Sequence, residues 1–230
     1  MDAWMWYVIG LVGLGAFIFA SAAATVAKQT AGQMSPQARL VFVDPEKHGE
    51  LLDRGDKYQV WGRGNGFEWL GAYHYIAPDN PEAFVSAWKR QGEPIYLAWY
   101  IIGKTEAIDF VTDYGGDCGV TTSNTAGGVL FPARPGHYKQ CMTKMDVEGL
   151  WGVHREGDAL LRSRFGFRPG RSMESFEQGF VESVRKSAQW VRSIPLWYLK
   201  VLPWYVTMAR RANVPLSMQR LKDPPAVAGR

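Results

Sequence analysis

The stretch Tyr58–Ile76 reads YQVWGRGNGFEWLGAYHYI, and its pattern decides the fold class of the chain. In its second half the aromatic side chains recur at every second position, which is the period of a β-strand with one buried face. The dipeptide Asn65-Gly66 lies between the two halves and is the strongest short-range signal for a β-hairpin. We therefore predict antiparallel strands over Tyr58–Arg63 and Phe67–Ile76.

Other short apolar or alternating runs extend the predicted sheet beyond this hairpin. The run IYLAWYII that follows Pro94 is apolar on both faces, so it is predicted to be a central strand. Pro78–Arg90 is predicted to be a turn followed by a short helix. The remaining predicted strands are Leu40–Val43, Ile108–Tyr114, Val120–Thr122 and Tyr138–Thr143.

From residue 146 onward the pattern becomes helical. Asp146 and Ser172 are each followed by apolar residues at helical spacing, so they are predicted to cap two helices. Because the strands come first and the helices follow them, rather than alternating, the predicted class is α+β. We expect an N-terminal transmembrane helix followed by a mostly antiparallel, curved sheet with C-terminal helices packed on it.

The N-terminal segment Trp4–Ala27 comprises 24 residues without a charge. As a helix it would rise about 36 Å, enough to cross a bilayer. A cleaved signal peptide is the alternative, but no Lys or Arg precedes the apolar run, and the run is longer than a signal core. Lys28, Arg39 and Lys47 follow it, which by the positive-inside rule places the domain in the cytoplasm. The sequence thus predicts a single-pass membrane protein.

Composition divides the chain into five segments. They are a transmembrane anchor at residues 1–28, a linker at 29–39, an α+β domain at 40–184, a basic aromatic-rich segment at 185–222 and a flexible tail at 223–230. Charge follows a similar division. Residues 1–161 carry 13 basic and 18 acidic side chains, whereas residues 162–230 carry 13 and 4. A basic end of this kind indicates an anionic partner.

Trp190–Met208, within the basic segment, concentrates three tryptophans and two tyrosines. Pro195 and Pro203 are predicted to split it into short pieces, which disfavours a second transmembrane helix. Because Trp and Tyr favour the headgroup region and basic residues favour anionic lipid, we predict that it lies on the membrane surface. Alternatively, its aromatic side chains cover the domain's own sheet. The predicted membrane-surface residues are Trp190, Trp197, Lys200, Trp204, Arg210 and Arg211.

The motifs for cofactors and metals have the wrong spacing. Gly103-Lys104-Thr105 resembles the end of a phosphate-binding loop, but Ala98 stands where that loop needs a glycine. His137 and Cys141 are four residues apart, but no second close pair completes a metal site. We therefore predict neither a cofactor nor a bound metal.

A polar patch in the predicted sheet is the candidate ligand groove. A solvated strand end is the alternative interpretation of the same residues, because polar side chains are common where strands meet loops. The candidate ligand-binding residues are Asp109, Thr121, Thr122, Asn124 and His137.

Without a catalytic motif, the sequence predicts a membrane-anchored accessory or interaction domain that is not an enzyme. Its predicted partners are the lipid bilayer and a protein in the same membrane. The alternative is a membrane-tethered enzyme, such as a hydrolase, with its site near Asp109, Cys118 and His137. Nucleic acid is not a predicted partner, because the chain is tethered and rich in tryptophan. Cys118 and Cys141 are predicted to be free thiols in the cytoplasm.

Overall fold

The computed structural model describes residues 3–44, 49–168, 170 and 175–224. The helices are α1 (Ala3–Met34), α2 (Gly49–Arg54), α3 (Asp56–Gly64), α4 (Val147–Phe165), α5 (Phe176–Ser193) and α6 (Trp197–Arg211). The strands are β1 (Arg39–Phe42), β2 (Phe67–Ile76), β3 (Ala83–Arg90), β4 (Ile95–Ile102), β5 (Thr105–Gly115), β6 (Cys118–Ser123) and β7 (His137–Cys141). Short 3₁₀ helices occur at Ala126–Val129 and Leu216–Met218.

The seven strands form one open sheet in which the spatial order is the sequence order. Each neighbouring pair is antiparallel except β6 and β7, which run parallel. A parallel pair needs a crossover, and residues 124–136 supply it. The predicted α+β class with a mostly antiparallel sheet and helices is therefore confirmed. The run after Pro94 is β4, the middle strand, as predicted.

Helices cover both faces of the sheet. Successive side chains of a strand point to opposite sides, and in the central strand the side chains on both sides are apolar. On β4, Leu97 and Trp99 face a core that includes residues of α2, α3 and α4. Ala98 and Tyr100 face the other side, where Phe180 of α5 packs. Both faces of β4 are buried, which explains why its sequence is apolar throughout.

The predicted strand Tyr58–Arg63 is wrong, because these residues belong to α3. Tyr58 and Gly62 lie on its buried side, and Gly62 packs near Phe67 and Trp88. The Asn-Gly dipeptide ends this helix instead of turning a hairpin: the N–H of Asn65 donates to the carbonyls of Trp61 and Gly62. Tyr58 and Trp61 are three residues apart, which is the spacing of a helix.

The helix predicted within Pro78–Arg90 is also wrong, because Ala83–Arg90 forms β3. Phe84 and Trp88 are four residues apart, a spacing that places them on one face of either a helix or a strand. Pairing with β2 on one side and β4 on the other selects the strand. Tertiary pairing here overrides the local pattern.

The N-terminal helix α1 is longer than the predicted anchor and continues to Met34, so residues 29–34 of the predicted linker are helical. Residues 4 and 6–18 are exposed, and from Phe19 onward one side of α1 contacts the rest of the chain. The amide of Asn80 donates to the carbonyl of Gln29, and Gln33 donates to Asn80. Among the described residues, Trp6–Met34 is the one helix long and apolar enough to cross a membrane.

Gly32 brings α1 against the turn before β3. A Cβ on Gly32 would lie 1.6 Å from the carbonyl oxygen of Pro78, so only glycine fits. Together with the bonds of Asn80, this contact fixes the end of α1 to the sheet.

The helices after the sheet begin close to their predicted starts. Asp146 caps α4 by accepting from the N–H of Gly149 at 2.9 Å, as predicted. Ser172 lies outside the described residues, and Ser175 caps α5. The predicted domain boundary at 184/185 falls inside α5.

Pro195 separates α5 from α6, but Pro203 lies inside α6, so its predicted helix break is wrong. A proline in a helix interior costs about 3 kcal/mol. Packing offsets that cost here, because Val201 is buried and Trp204 stacks edge-on against Phe131.

A buried polar network joins α4 to β5, β6 and β7. His154 lies 2.9 Å from the hydroxyl of Thr112 through Nε2 and 2.9 Å from that of Thr122 through Nδ1. Gln140 donates to Thr122 and accepts from the N–H of Leu216. Donors and acceptors balance when Thr122 donates to Nδ1 and Nε2 donates to Thr112. Burial, with a smaller effect of neighbouring Arg155, lowers the pKa of His154 to about 3.

We expect the free energy of unfolding to fall as the pH drops below 6.5. The folded-state pKa of His154 is depressed, so stability present above pH 6.5 is lost as the unfolded chain takes up a proton that the fold excludes. One proton corresponds to about 1.4 kcal/mol per pH unit, or about 2 kcal/mol between pH 6.5 and pH 5. Urea unfolding of the full chain in detergent micelles measures this loss. His154→Gln should reduce the pH dependence by the contribution of this one proton, and an unchanged pH dependence in that variant would contradict the assignment.

Candidate functional site

The strand register brings three of the five predicted ligand-binding residues to one face of the sheet. Asp109 pairs with Ser123, and Thr121 pairs with Val111 across the β5–β6 ladder. His137 of β7 pairs with Gly119 on the same face. This face, the one that packs against α5, is polar over β5, β6 and β7.

Thr122 and Asn124 are not part of that face. Thr122 points to the opposite side, where it bonds His154. Asn124 accepts from the N–H of Ile108 through Oδ1 at 2.8 Å and thereby closes the end of the β5–β6 ladder. Both side chains have structural roles.

Asp109 and Lys139 balance each other on the polar face. Burial raises the pKa of Asp109 to about 6, although Ser123, Lys139 and Tyr100 act to lower it. Burial lowers the pKa of Lys139, and Asp109 opposes this effect. Opposite charges on neighbouring parts of a dehydrated surface stabilise each other's ionised form.

Arg134 and Lys186 clamp the turn between β5 and β6. Arg134 lies 2.6 Å and Lys186 lies 3.2 Å from the same oxygen of Asp117. Burial alone would raise the pKa of Asp117, but the two cations outweigh it and lower the pKa. These ion pairs connect the turn to α5 and to the loop before β7.

A cleft of about 280 Å³ opens beside this clamp and is lined in part by His137, Cys118 and Glu182. Burial and the charge of Arg134 lower the pKa of His137 to about 4, so its ring is neutral at pH 7. Among the described residues, Nε2 of His137 has no hydrogen-bond partner. A neutral imidazole with an unused nitrogen can bind a polar ligand group there.

Cys118 and Cys141 are both free and buried. Cys118 packs with Val120 and Leu161 on the α4 side, whereas Cys141 packs with Val129 near α6. They stand at opposite ends of the parallel β6–β7 pair, five positions apart in register, or about 16 Å. A disulfide needs Cα atoms within about 7 Å, so the two thiols cannot be bridged in this fold in any compartment.

Cys118 lacks the environment of a nucleophile. Burial and the neighbouring Asp117 raise the pKa of its thiol, against a weaker effect of Arg134. Reactive cysteines need a lowered pKa, because the thiolate is the attacking species. The hydrolase alternative therefore gains no support from Cys118.

A larger cavity, of about 510 Å³, lies between β7, the ends of α5 and α6, and the C-terminal residues 214–223. We call it the basic cavity, because its charged lining consists of six cations and one carboxylate. These residues are Arg134, Lys139, Arg210, Arg211, Arg220, Lys222 and Asp223. Sequence reasoning missed Arg134, whose only signal was an arginine enclosed by prolines in the loop FPARPG.

The predicted membrane-surface residues divide into two groups. Trp190, Trp197 and Trp204 are half-buried. Arg211 also turns inward and donates to the carbonyls of Leu130 and Trp204. Lys200 and Arg210 are exposed. The outward face of α6 consists instead of Tyr198, Leu199, Leu202, Tyr205 and Val206.

Among the described residues, no group of three or more His, Cys, Asp or Glu side chains could hold a metal ion. Comparison of the chain with protein-family models, curated proteins and solved structures finds no match.

We expect Asp117→Asn to destabilise the protein more than Lys186→Gln. Arg134 is only 9% exposed, and a buried cation that loses its partner costs more than an exposed one. Because Asp117 itself is half exposed, the expected cost is about 1–2 kcal/mol, compared with at most about 1 kcal/mol for the exposed pair of Lys186. Urea unfolding of both variants measures the difference. Equal costs would show that Arg134 does not depend on Asp117.

Proposed function

We propose that this protein is a membrane-anchored interaction domain, non-enzymatic, held against the cytoplasmic surface of a bilayer. In this proposal α1 crosses the membrane and α6 lies along it. The observation that carries the proposal is that two exposed apolar surfaces, on α1 and on α6, belong to helices that contact each other. Exposed apolar surface on two contacting helices is typical of a membrane or protein interface.

The apolar face of α6 is continuous. Tyr198, Leu202, Tyr205 and Val206 are exposed, and their spacing of three and four residues places them on one side of the helix. Val201 and the half-buried Trp204 lie on the other side. A helix that buries one apolar face and exposes a second suits a position between a protein and lipid.

Contacts of α1 with the domain support an anchor that is kept. Cleavage near residues 22–27 would remove the part of α1 that begins to pack at Phe19. Cleavage after Ala27 would also remove the carbonyl of that residue, which accepts from Arg192 at 3.4 Å. A signal sequence has no need of such contacts with the mature domain.

Basic residues near the docked end of α1 support a cytoplasmic domain. Lys28 and Arg39 follow the apolar stretch in sequence. The fold adds Arg192, which reaches Ala27, and Arg210 at the end of α6. The positive-inside rule weighs basic residues close to the ends of a membrane helix.

The edge strand β1 is the proposed surface for a protein partner in the same membrane. Among the described residues no strand pairs with its outer edge, and Val41 and Phe42 are exposed. The opposite edge is covered, since Asn213 and Gln219 donate to carbonyls of β7. An open edge can accept an extended segment of a partner as an eighth strand.

A fluorescent probe on α6 should report lipid contact in the full chain reconstituted in liposomes. Val206→Cys and Val60→Cys form a matched pair, because each valine is 65% exposed and only the first lies on α6. Cys118 and Cys141 are buried and should remain unlabelled. We expect the probe at residue 206 to show blue-shifted emission and quenching by lipids spin-labelled near the headgroup. Identical behaviour at residue 60 would refute the placement of α6.

A photo-reactive residue at position 41 should capture the protein partner in native membranes. Val41 lies on the open edge of β1, and Val60, which is more exposed, lies on α3 and serves as the control. We expect one dominant adduct at position 41 and none at position 60. Equal labelling at both positions, or an adduct of twice the chain's own mass, would count against a distinct partner at this edge.

A further inference from the structure

We propose that the basic cavity binds the phosphate group of an anionic lipid, with Arg134 at its buried end and Arg220 and Lys222 at its exposed end. The inference rests on the proposed function, which places the bilayer beside α6, and it adds a ligand class to it. Three independent properties of the cavity support it: its charge, its unused donors and its apolar wall.

Among the described residues, the cavity carries more positive charge than nearby carboxylates neutralise. Six basic side chains and one carboxylate line it. Of the cations, Arg134 pairs with Asp117 and Lys139 is balanced by Asp109. Arg134 and Arg211 both act to lower the pKa of Lys139, which is the signature of crowded like charges. A bound anion would relieve this repulsion.

Three buried hydrogen-bond donors around the cavity have no partner in the part of the chain that the structure describes. Arg134 uses one terminal nitrogen for Asp117, but its Nε has no partner among the described residues. Arg211 donates from one terminal nitrogen to two carbonyls, and its Nε is likewise unpartnered. Nε1 of Trp190 is a third such donor. Buried donors without acceptors cost stability, and phosphate offers several strong acceptor oxygens.

The apolar wall distinguishes a lipid from a free phosphate compound. Val129, Phe131, Trp190 and Leu221 line the same cavity as the cations. A free anion gains nothing from such a wall, whereas the glycerol and first methylene groups of a lipid would be buried against it. The volume of about 510 Å³ lies within the usual range for sites that hold a small molecule.

The position of the cavity suits a ligand that comes from the membrane. Trp190 belongs to α5 and Arg210 to α6, and both of these helices contact α1. The cavity therefore lies on the part of the domain that is built around the proposed anchor. In the proposed placement, a lipid headgroup would reach it from the bilayer surface.

The test uses the full chain in zwitterionic detergent micelles and calorimetric titration. Its probes are dihexanoyl phosphatidic acid, dihexanoyl phosphatidylcholine, glycerol 3-phosphate and inorganic phosphate. We expect saturable binding of the phosphatidic acid and binding of the two soluble phosphates that is weaker by about tenfold or more. Phosphatidylcholine should not saturate the site.

The double variant Arg220→Gln, Lys222→Gln should weaken phosphatidic acid binding by about 25-fold, since each basic residue near an anionic lipid contributes about fivefold. The matched control Arg63→Gln, Lys104→Gln removes the same charge from exposed positions outside the cavity, and it should change the affinity by less than about twofold. Exposed residues are altered in both variants, so folding should be preserved.

Four outcomes would overturn the inference. Absence of saturable binding would show that the cavity is not a phosphatidic acid site. Equal weakening in both double variants would show that binding depends on net charge and not on the cavity. Equal affinity for glycerol 3-phosphate would identify a site for soluble phosphate compounds. Equal affinity for phosphatidylcholine would identify an apolar pocket without anion selectivity. Because the titration is done in micelles, it is independent of the α6 probe experiment, and the two proposals fail separately.

Discussion

The strand β4 is apolar on both faces, and neither face can be left to water. Burial of both sides requires one helical layer on each side of the sheet, and the rest of the fold follows from that requirement. Helices α2, α3 and α4 pack on one side, against Trp99 and its neighbours. On the other side α5 is recruited by Tyr100 and Ala98. Because α5 also contacts α1 and α6, burial of the second face determines where the N-terminal helix and the basic cavity lie.

The same face of the sheet changes character from one edge to the other. Over β2 to β4 it presents tyrosine and alanine, which Phe176 and Phe180 of α5 cover. Over β5 to β7 it presents carboxylates, a lysine and a histidine, which an apolar helix surface cannot cover without a desolvation cost. The protein meets this change with ion pairs such as Asp117–Lys186 and with open clefts. The candidate sites are thus the places where the packing of α5 on the sheet becomes incomplete.

Much of the sheet could be predicted because its signals are local. The double-sided apolar run of β4 and the cap at Asp146 each depend on neighbours in sequence, and both are confirmed. The strand prediction for Tyr58–Arg63 is wrong because it rested on the Asn-Gly turn signal, whereas the spacing of Tyr58 and Trp61 is helical. The β3 error has another origin, since two flanking strands decided its conformation.

The candidate site was less accessible to sequence reasoning because its members meet only in the folded chain. Asp109, Thr121 and His137 were found because they are polar residues in a sheet-like context. Thr122 was predicted to belong to the same ligand-binding set. The sequence does not show that its side chain lies on the opposite face of β6, where it bonds His154. Arg134 was missed because its importance comes from Asp117, 17 residues away. Similarly, the tryptophans near α6 were predicted to face lipid, whereas tyrosine, leucine and valine form its outward face.

The close contact between Gly32 and Pro78 has a mechanical consequence. Only residues 35–38 separate α1 from β1, and the contact leaves no flexible joint between them. With α1 in a bilayer, the domain would be held at one height above the membrane and in one orientation relative to the axis of α1. As α1 rotates about its axis, the open edge of β1 would stay at a constant height. An encounter with a partner in the same membrane would then be restricted to two dimensions. A bulkier residue at position 32 would separate α1 from the turn at Pro78 and remove this fixed orientation. The exposed edge of β1 would not be altered.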